Sequence, residues 1–297
     1  MRLIETYRAY RALTPEQRRL LKEKQVAGEY TPAQWLGLLA GLAAYDRQAD
    51  AVRTWATTAM IVTPMLVFFG ALFGSIALGY ESLAIPVALG LALLTAAPLV
   101  AIFLATRATD LADRLGAVAI PLVSLIGEDL RPHAKVQLAL DLRGGATKPK
   151  LTATPPARNE DGRSIRERVF RDPWMNGAAV LRDGARLRWR IDDEVHELRV
   201  SHSNARGKTK TKTKFRVDTR VLAALDLPAA GYRLRPNPAD PTTRAPALEK
   251  WIKLRARVRT RQKGTQPRSA SLSAVLKTIA GLYARAEPIR TKEPSHV

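Results

Sequence analysis

The sequence predicts a membrane α+β protein: a two-helix transmembrane hairpin with a short N-terminal helical region and a cytoplasmic, mostly-β C-terminal domain of sandwich or barrel type. Three observations predict it. Two uncharged apolar runs of 24 residues stand almost back to back, every Lys and Arg lies outside them, and past Arg131 the hydrophobic pattern turns from helical to alternating. The divisions that follow are a helical region (1–54), the hairpin (55–106), a juxtamembrane apolar helix (107–130), a basic β-rich domain (131–263), and an amphipathic helix with a tail (264–297).

In the N-terminal region, Thr14-Pro15-Glu16-Gln17 and Thr31-Pro32-Ala33-Gln34 repeat one pattern. Thr serves as N-cap, Pro takes the first helical position, and Gln three residues on completes a capping box. The first helix is expected to run from Pro15 to Ala27 and stop at Gly28. The second starts at Pro32, with Trp35, Leu38, Leu39, Leu42 and Tyr45 on one face.

The hairpin follows from Trp55–Leu78 and Leu83–Thr106, which contain no Asp, Glu, Lys, Arg or His. As a helix each run is about 36 Å long, against a hydrocarbon thickness of about 30 Å. Only Gly79, Tyr80, Glu81 and Ser82 separate them, so the chain must turn back at once. Nine Lys and Arg precede Trp55 and 39 follow Thr106. By the positive-inside rule both termini are expected in the cytoplasm, with the protein integral to the cytoplasmic (inner) membrane. A cleaved signal peptide is not expected, because charged helical sequence precedes the first apolar run.

Small residues are the candidates for helix packing. Gly70 and Gly74 form a G-x-x-x-G step, and Ala88, Ala92 and Ala96 repeat the same spacing on the second run. Such residues let backbones approach in lipid, either within the hairpin or between copies in a homo-oligomer. Pro64, Pro86 and Pro98 could kink the helices, but no ionisable group accompanies them to form a transport site.

After the hairpin, Asp110–Leu130 is apolar but its uncharged centre is too short to cross a bilayer, and it is expected to serve as a core helix. Turn signals then appear at Arg143-Gly144-Gly145, Asn159–Gly162 and Asn176-Gly177. Arg186–Ile191 and Glu194–Val200 read as a hairpin about an acidic turn at Asp192-Asp193-Glu194.

Three alternating runs carry the candidate binding residues. Period two puts Arg186, Arg188 and Arg190 on one face, then Lys208, Lys210, Lys212, Lys214 and Arg216, then Lys253, Arg255, Arg257, Arg259 and Arg261. If two such strands are neighbours, like charges about 5 Å apart call for an anionic ligand. Anionic lipid headgroups are one candidate, each nearby Lys or Arg contributing about 1 kcal/mol. An acidic protein partner and nucleic acid are the others, while separate solvated or edge strands would need no ligand. Nucleic acid is disfavoured by the 6% aromatic content, which leaves few rings for stacking.

Ser269–Arg285 places Leu272, Val275, Leu276, Ile279, Leu282 and Tyr283 on one helical face, suited to packing on the β domain. The tail after Pro288 is expected to be disordered.

Enzyme signatures are weak. Cysteine is absent, which removes thiol catalysis and Cys-ligated metals, and His133, His196, His202 and His296 follow no ligand spacing. Ala205–Thr209 resembles the end of a phosphate-binding loop but lacks its leading Gly, and Ser201-His202-Ser203 has no acidic orienter. No catalytic residue, metal site or cofactor is expected. The function expected is binding or scaffolding at the membrane, through a basic domain that engages an anionic surface. The alternatives are a membrane tether for nucleic acid, a subunit of a larger membrane complex, and an enzyme whose site is dispersed.

Overall fold

The computed structural model describes residues 2–160, 163–203, 208–235, 250–265 and 272–289. The expected tail and most of the Ala205–Thr209 motif lie outside them. By contact the chain forms two units, Met1–Glu23 with Leu38–Leu111, and Lys24–Gly37 with Ala112–Val297.

The first unit is helical. Helices α1 (Arg2–Ala12) and α2 (Pro15–Glu23) precede the long α3 (Pro32–Ala77), whose first turns belong to the second unit, and α4 (Glu81–Ala108). The Thr14 capping box forms in full: Gln17 N–H donates to Thr14 Oγ1 at 3.2 Å, and Thr14 N–H donates to Gln17 Oε1 at 2.9 Å. Gln17 then reaches the Leu38 carbonyl at 3.1 Å through a gap left by Gly41, where a Cβ would stand 2.4 Å from Gln17 Nε2.

Helix α3 is one element of 46 residues, so the helix begun at Pro32 and the apolar run from Trp55 are continuous. It continues through Pro64, and α4 continues through Pro86 and Pro98. Both are long and apolar enough to cross a membrane, their most apolar 18-residue stretches reaching mean hydropathies of 2.0 and 2.5. They are joined at Gly79, whose φ of +79° suits a residue without Cβ. Small side chains are buried in this pair, Ala84 and Ala88, while Leu66, Phe73 and Leu94 are exposed. Beyond the other end of α4 Arg53 binds Asp46, Asp50 and Asp110, and Asp46 accepts the Leu111 N–H at 3.2 Å, tying the middle of α3 to the segment that follows α4.

The second unit is built on an antiparallel sheet. Its strands are β1 (Gln25–Tyr30), β2 (Val136–Asp141), β3 (Leu151–Ala153), β4 (Arg158–Glu160), β5 (Arg163–Val180), β6 (Arg186–Ser203), β7 (Thr209–Pro228) and β9 (Trp251–Gly264). The order is β1-β2-β5-β6-β7-β9, with β3 and β4 also on β5, and β8 (Tyr232–Leu234) pairs separately with β10 (Ala286–Pro288). Among the described residues no barrel closes, and β1 and β9 stand at the two ends of the strand order, where a sandwich or barrel was expected. One face is covered and holds Leu187, Trp189, Ile191, Val221, Leu225, Leu227, Ile252 and Leu254, all buried. A π-helical turn (Leu115–Ala119) and α5 (Ile120–Glu128) supply buried Leu115, Val118, Leu122, Val123 and Ile126, so of the expected core helix Asp110–Leu130 only residues 114–128 are helical, while 110–113 are not. Helix α6 (Leu272–Tyr283) packs on β7 and β9 and buries Val275, Thr278 and Leu282.

Three local expectations are corrected. Residues 25–27 are not helical: Lys24 adopts φ +54°, which ends α2, and β1 pairs along β2 instead. Asn176-Gly177 is no turn but lies inside β5, because the Trp189 indole packs where a Gly177 Cβ would sit, 2.2 Å from its nearest ring carbon. Asp192-Asp193-Glu194 is likewise no turn; β6 runs straight through it for 18 residues, since Asp193 and Glu194 find Thr219 and Arg220 on the neighbouring β7 and Asp192 binds Arg190 on its own strand.

The covered face also holds an ionic cluster. Asp172, fully buried, accepts from Arg114 and from Lys150, each at 2.6 Å. Arg114 lies 4.9 Å from the Trp174 ring centroid and 3.5 Å from Asp193, which accepts from Thr219 at 2.6 Å. Trp174 is the extra residue of a bulge that also accommodates Pro173 within a central strand. Lys150 bonds Asp141 as well, at 3.1 Å. Burial pushes the Asp141 carboxyl up, and Arg143 and Lys150 more than offset this, holding it well below the ordinary carboxylate range.

Candidate functional site

The candidate residues share the other face of the sheet, which is open. Register decides what stands beside what. Arg186, Arg188 and Arg190 of β6 oppose Asp226, Ala224 and Leu222 of β7, and those oppose Lys253, Arg255 and Arg257 of β9. The β6 and β9 rows therefore lie on one face with β7 between them. The Lys208–Arg216 row does not run beside them. Lys210, Lys212 and Lys214 pair with His202, Val200 and Leu198, on an extension of β7 that begins where its pairing with β9 ends at Phe215 and Gly264.

Acidic side chains divide the face into three zones. In the middle zone Asp218, almost fully buried, binds Arg261 at 2.6 Å and Arg259 at 3.2 Å. Glu194 binds Arg220 at 2.6 Å, and Asp192 binds Arg190 at 2.7 Å. Burial pushes the Asp218 carboxyl up, but the Arg261 and Arg259 guanidiniums outweigh it and hold the group below its ordinary range. The middle is thus an internally compensated belt, in which Arg216, Arg259 and Arg261 serve acids of the sheet itself. His196 sits in it, 2.7 Å from Glu167 through Nδ1 and 3.1 Å from Glu194 through Nε2. One Arg216 nitrogen reaches both ring nitrogens, at 3.0 and 3.2 Å, which places it over the ring face.

Glu194, His196 and Asp218 bring one ligand atom each within 4.8 Å of the others, a spacing a divalent cation can use. The same carboxylates already hold Arg220, Arg259 and Arg261, so a cation would enter only as those contacts give way. No sequence spacing announced this trio, because its members meet only through the β6–β7 register.

The two outer zones remain cationic. On the β7 extension Lys210, Lys212 and Lys214 are exposed, and among the described residues none of them contacts an acidic group. At the other end Arg255 and Arg257 are exposed and contact no acid among the described residues. Opposite them Arg188 bonds Asp226 at 2.7 Å, and Arg186 stacks 4.4 Å from the Trp251 ring centroid. Between these rows the floor sinks to Leu222 and Ala224, leaving a depression of about 400 Å³ lined also by Asn176. Neither small floor residue was a candidate in the sequence. The signal lay in the run Val221–Leu227, where alternate positions face the core and leave Leu222 and Ala224 outward.

The helix-packing candidates separate as well. Ala88 is buried and Ala92 and Ala96 are half-buried, whereas Gly70 and Gly74 are exposed, with nothing within 4 Å of a Cβ at either.

No protein-family model, curated protein or solved structure matches the chain.

Proposed function

We propose that this chain is a two-span membrane-anchored binding protein, with both termini in the cytoplasm, whose open sheet face engages the anionic lipid headgroups of the bilayer that holds it. The observation that carries the reading is the arrangement of that face: cationic rows from adjacent strands, with acids gathered in a central belt and none contacting Arg255, Arg257, Lys210, Lys212 or Lys214 among the described residues. Cations left without acids in a protein with a net charge of +21 favour an anionic surface. Two helices of membrane-crossing length support the anchor. Lys and Arg flanking both spans support the orientation.

The test uses the full chain in phosphatidylcholine nanodiscs, mixed with phosphatidylcholine vesicles with or without phosphatidylglycerol and with labelled single- and double-stranded DNA, across a salt series. Binding to phosphatidylglycerol vesicles that weakens with salt, exceeds binding to neutral vesicles and withstands competition by DNA is the expected result. DNA binding that exceeds vesicle binding and falls steeply with salt would replace this reading with a nucleic-acid tether.

A further inference from the structure

Resting on that reading, we infer that the depression between β6 and β9 is a seat for phosphate, in which Arg188 and Arg255 clasp one lipid phosphate group and Arg190 and Arg257 clasp a second. The four arginines stand at two levels of the sheet, in the registers Arg188–Ala224–Arg255 and Arg190–Leu222–Arg257. With strands about 4.8 Å apart, the two members of a level start about 10 Å apart on opposite sides of β7. The two levels are two residues, about 7 Å, apart along the strands. Ala224 and Leu222 do not fill the space between, which is the depression of about 400 Å³.

The chemistry of the occupant follows from this arrangement. A guanidinium presents a planar fork of N–H donors and cannot lose its charge. Two forks approaching one level from opposite sides need an acceptor whose oxygens point both ways. A carboxylate, flat and with two oxygens, is satisfied by one fork, whereas a tetrahedral phosphate offers oxygens to both. Arg188 and Arg190 are already oriented from the ends of the depression by Asp226 and Asp192, so their forks are held in place before any ligand arrives. Arg255 and Arg257 have no acidic contact among the described residues and supply charge that nothing on the sheet compensates. The floor is formed by Leu222 and Ala224, and Trp189, which also lines the depression, is buried and offers no open ring face on which a nucleobase could stack, which favours the glycerophosphate of a lipid over a nucleic-acid strand.

Charge alone and a forked seat respond differently to one substitution. The double variant Arg255→Lys/Arg257→Lys keeps the charge and loses the forks, while Arg255→Gln/Arg257→Gln loses both. Arg255 and Arg257 are exposed, so neither variant disturbs the core. In the nanodisc and vesicle assay, the seat predicts that the Lys variant binds phosphatidylglycerol vesicles about tenfold more weakly than the parent, most of the loss shown by the Gln variant. If the Lys variant binds like the parent while the Gln variant is weakened, the seat is overturned and the anionic-surface reading stands. If both bind like the parent while Lys210→Gln/Lys212→Gln/Lys214→Gln loses binding, the seat is overturned and the surface contact moves to the β7 extension. Failure of the parent chain to bind vesicles overturns both. Displacement of the vesicles by soluble glycerol phosphate at matched phosphate concentration would overturn the choice of lipid.

Discussion

The helical hairpin and the sheet bury opposite things. Along residues 55–106 of α3 and α4 the buried residues include the small Ala56, Ala84 and Ala88, while Leu66, Phe73 and Leu94 are at 65% exposure or more. In the sheet the aromatic and branched side chains are inside, and with them the charges of Asp172, Lys150, Arg114 and Asp193. In water the first arrangement wastes its apolar area, and in lipid the second would strand its open arginine rows. One chain therefore carries two solutions to burial, each suited to a different surrounding medium, which is the physical content of the proposed anchor.

The largest effect should come from the sheet's buried charges. Asp172→Ala leaves Arg114 and Lys150 buried without their shared acceptor and should cost about 3–5 kcal/mol, seen as a lower urea midpoint by fluorescence of buried Trp174 and Trp189. An unchanged midpoint would erase the contrast from the sheet's side. Next, Leu94→Arg on the exposed flank of α4 should cost about 2.5–3.5 kcal/mol of insertion, read as loss from the carbonate-resistant membrane fraction. If the variant stays in that fraction in full, the lipid-facing assignment of that flank breaks.

Smaller effects sharpen the comparison. Ala88→Leu should overpack the helix pair by about 1–3 kcal/mol, while Gly70→Leu, with open space around it, should leave the thermal unfolding of the hairpin in detergent unchanged. Finally, Asp141 and Asp218 are carboxylates whose folded-state pKa values lie below their unfolded ones. Their contribution is complete above about pH 4 and is lost as pH falls through the folded-state values. Urea midpoints should therefore be level from pH 7 to 5 and fall below about pH 4, a fall that Asp218→Asn should reduce.

Much of the fold was legible because its signals are local. The two capping boxes formed as spelled, the apolar runs became helices, and the apolar centre of Asp110–Leu130 became a buried helix over residues 114–128. The alternating runs became strands with their Arg and Lys on one face. What misled were residues whose meaning depends on a distant partner. Asn176-Gly177 spells a turn, but Gly177 is present to receive the Trp189 indole, and Asp192-Asp193 spells a solvated loop, but both acids are buried against partners.

Of the candidate site, the sequence supplied the charges and their period but not their company. It could not show that Arg259 and Arg261 are consumed by Asp218, some 41 residues or more away, while Arg255 and Arg257 are left facing Arg188 and Arg190 across a shallow floor. Helix caps, hydrophobic length and side-chain period are set by residues within a few positions of one another, so the sequence by itself determined them. Strand register is set by contacts between residues far apart in the chain, and one residue of slip would carry every arginine to the other face; only the tertiary structure decided which cations are neutralised and which remain to bind.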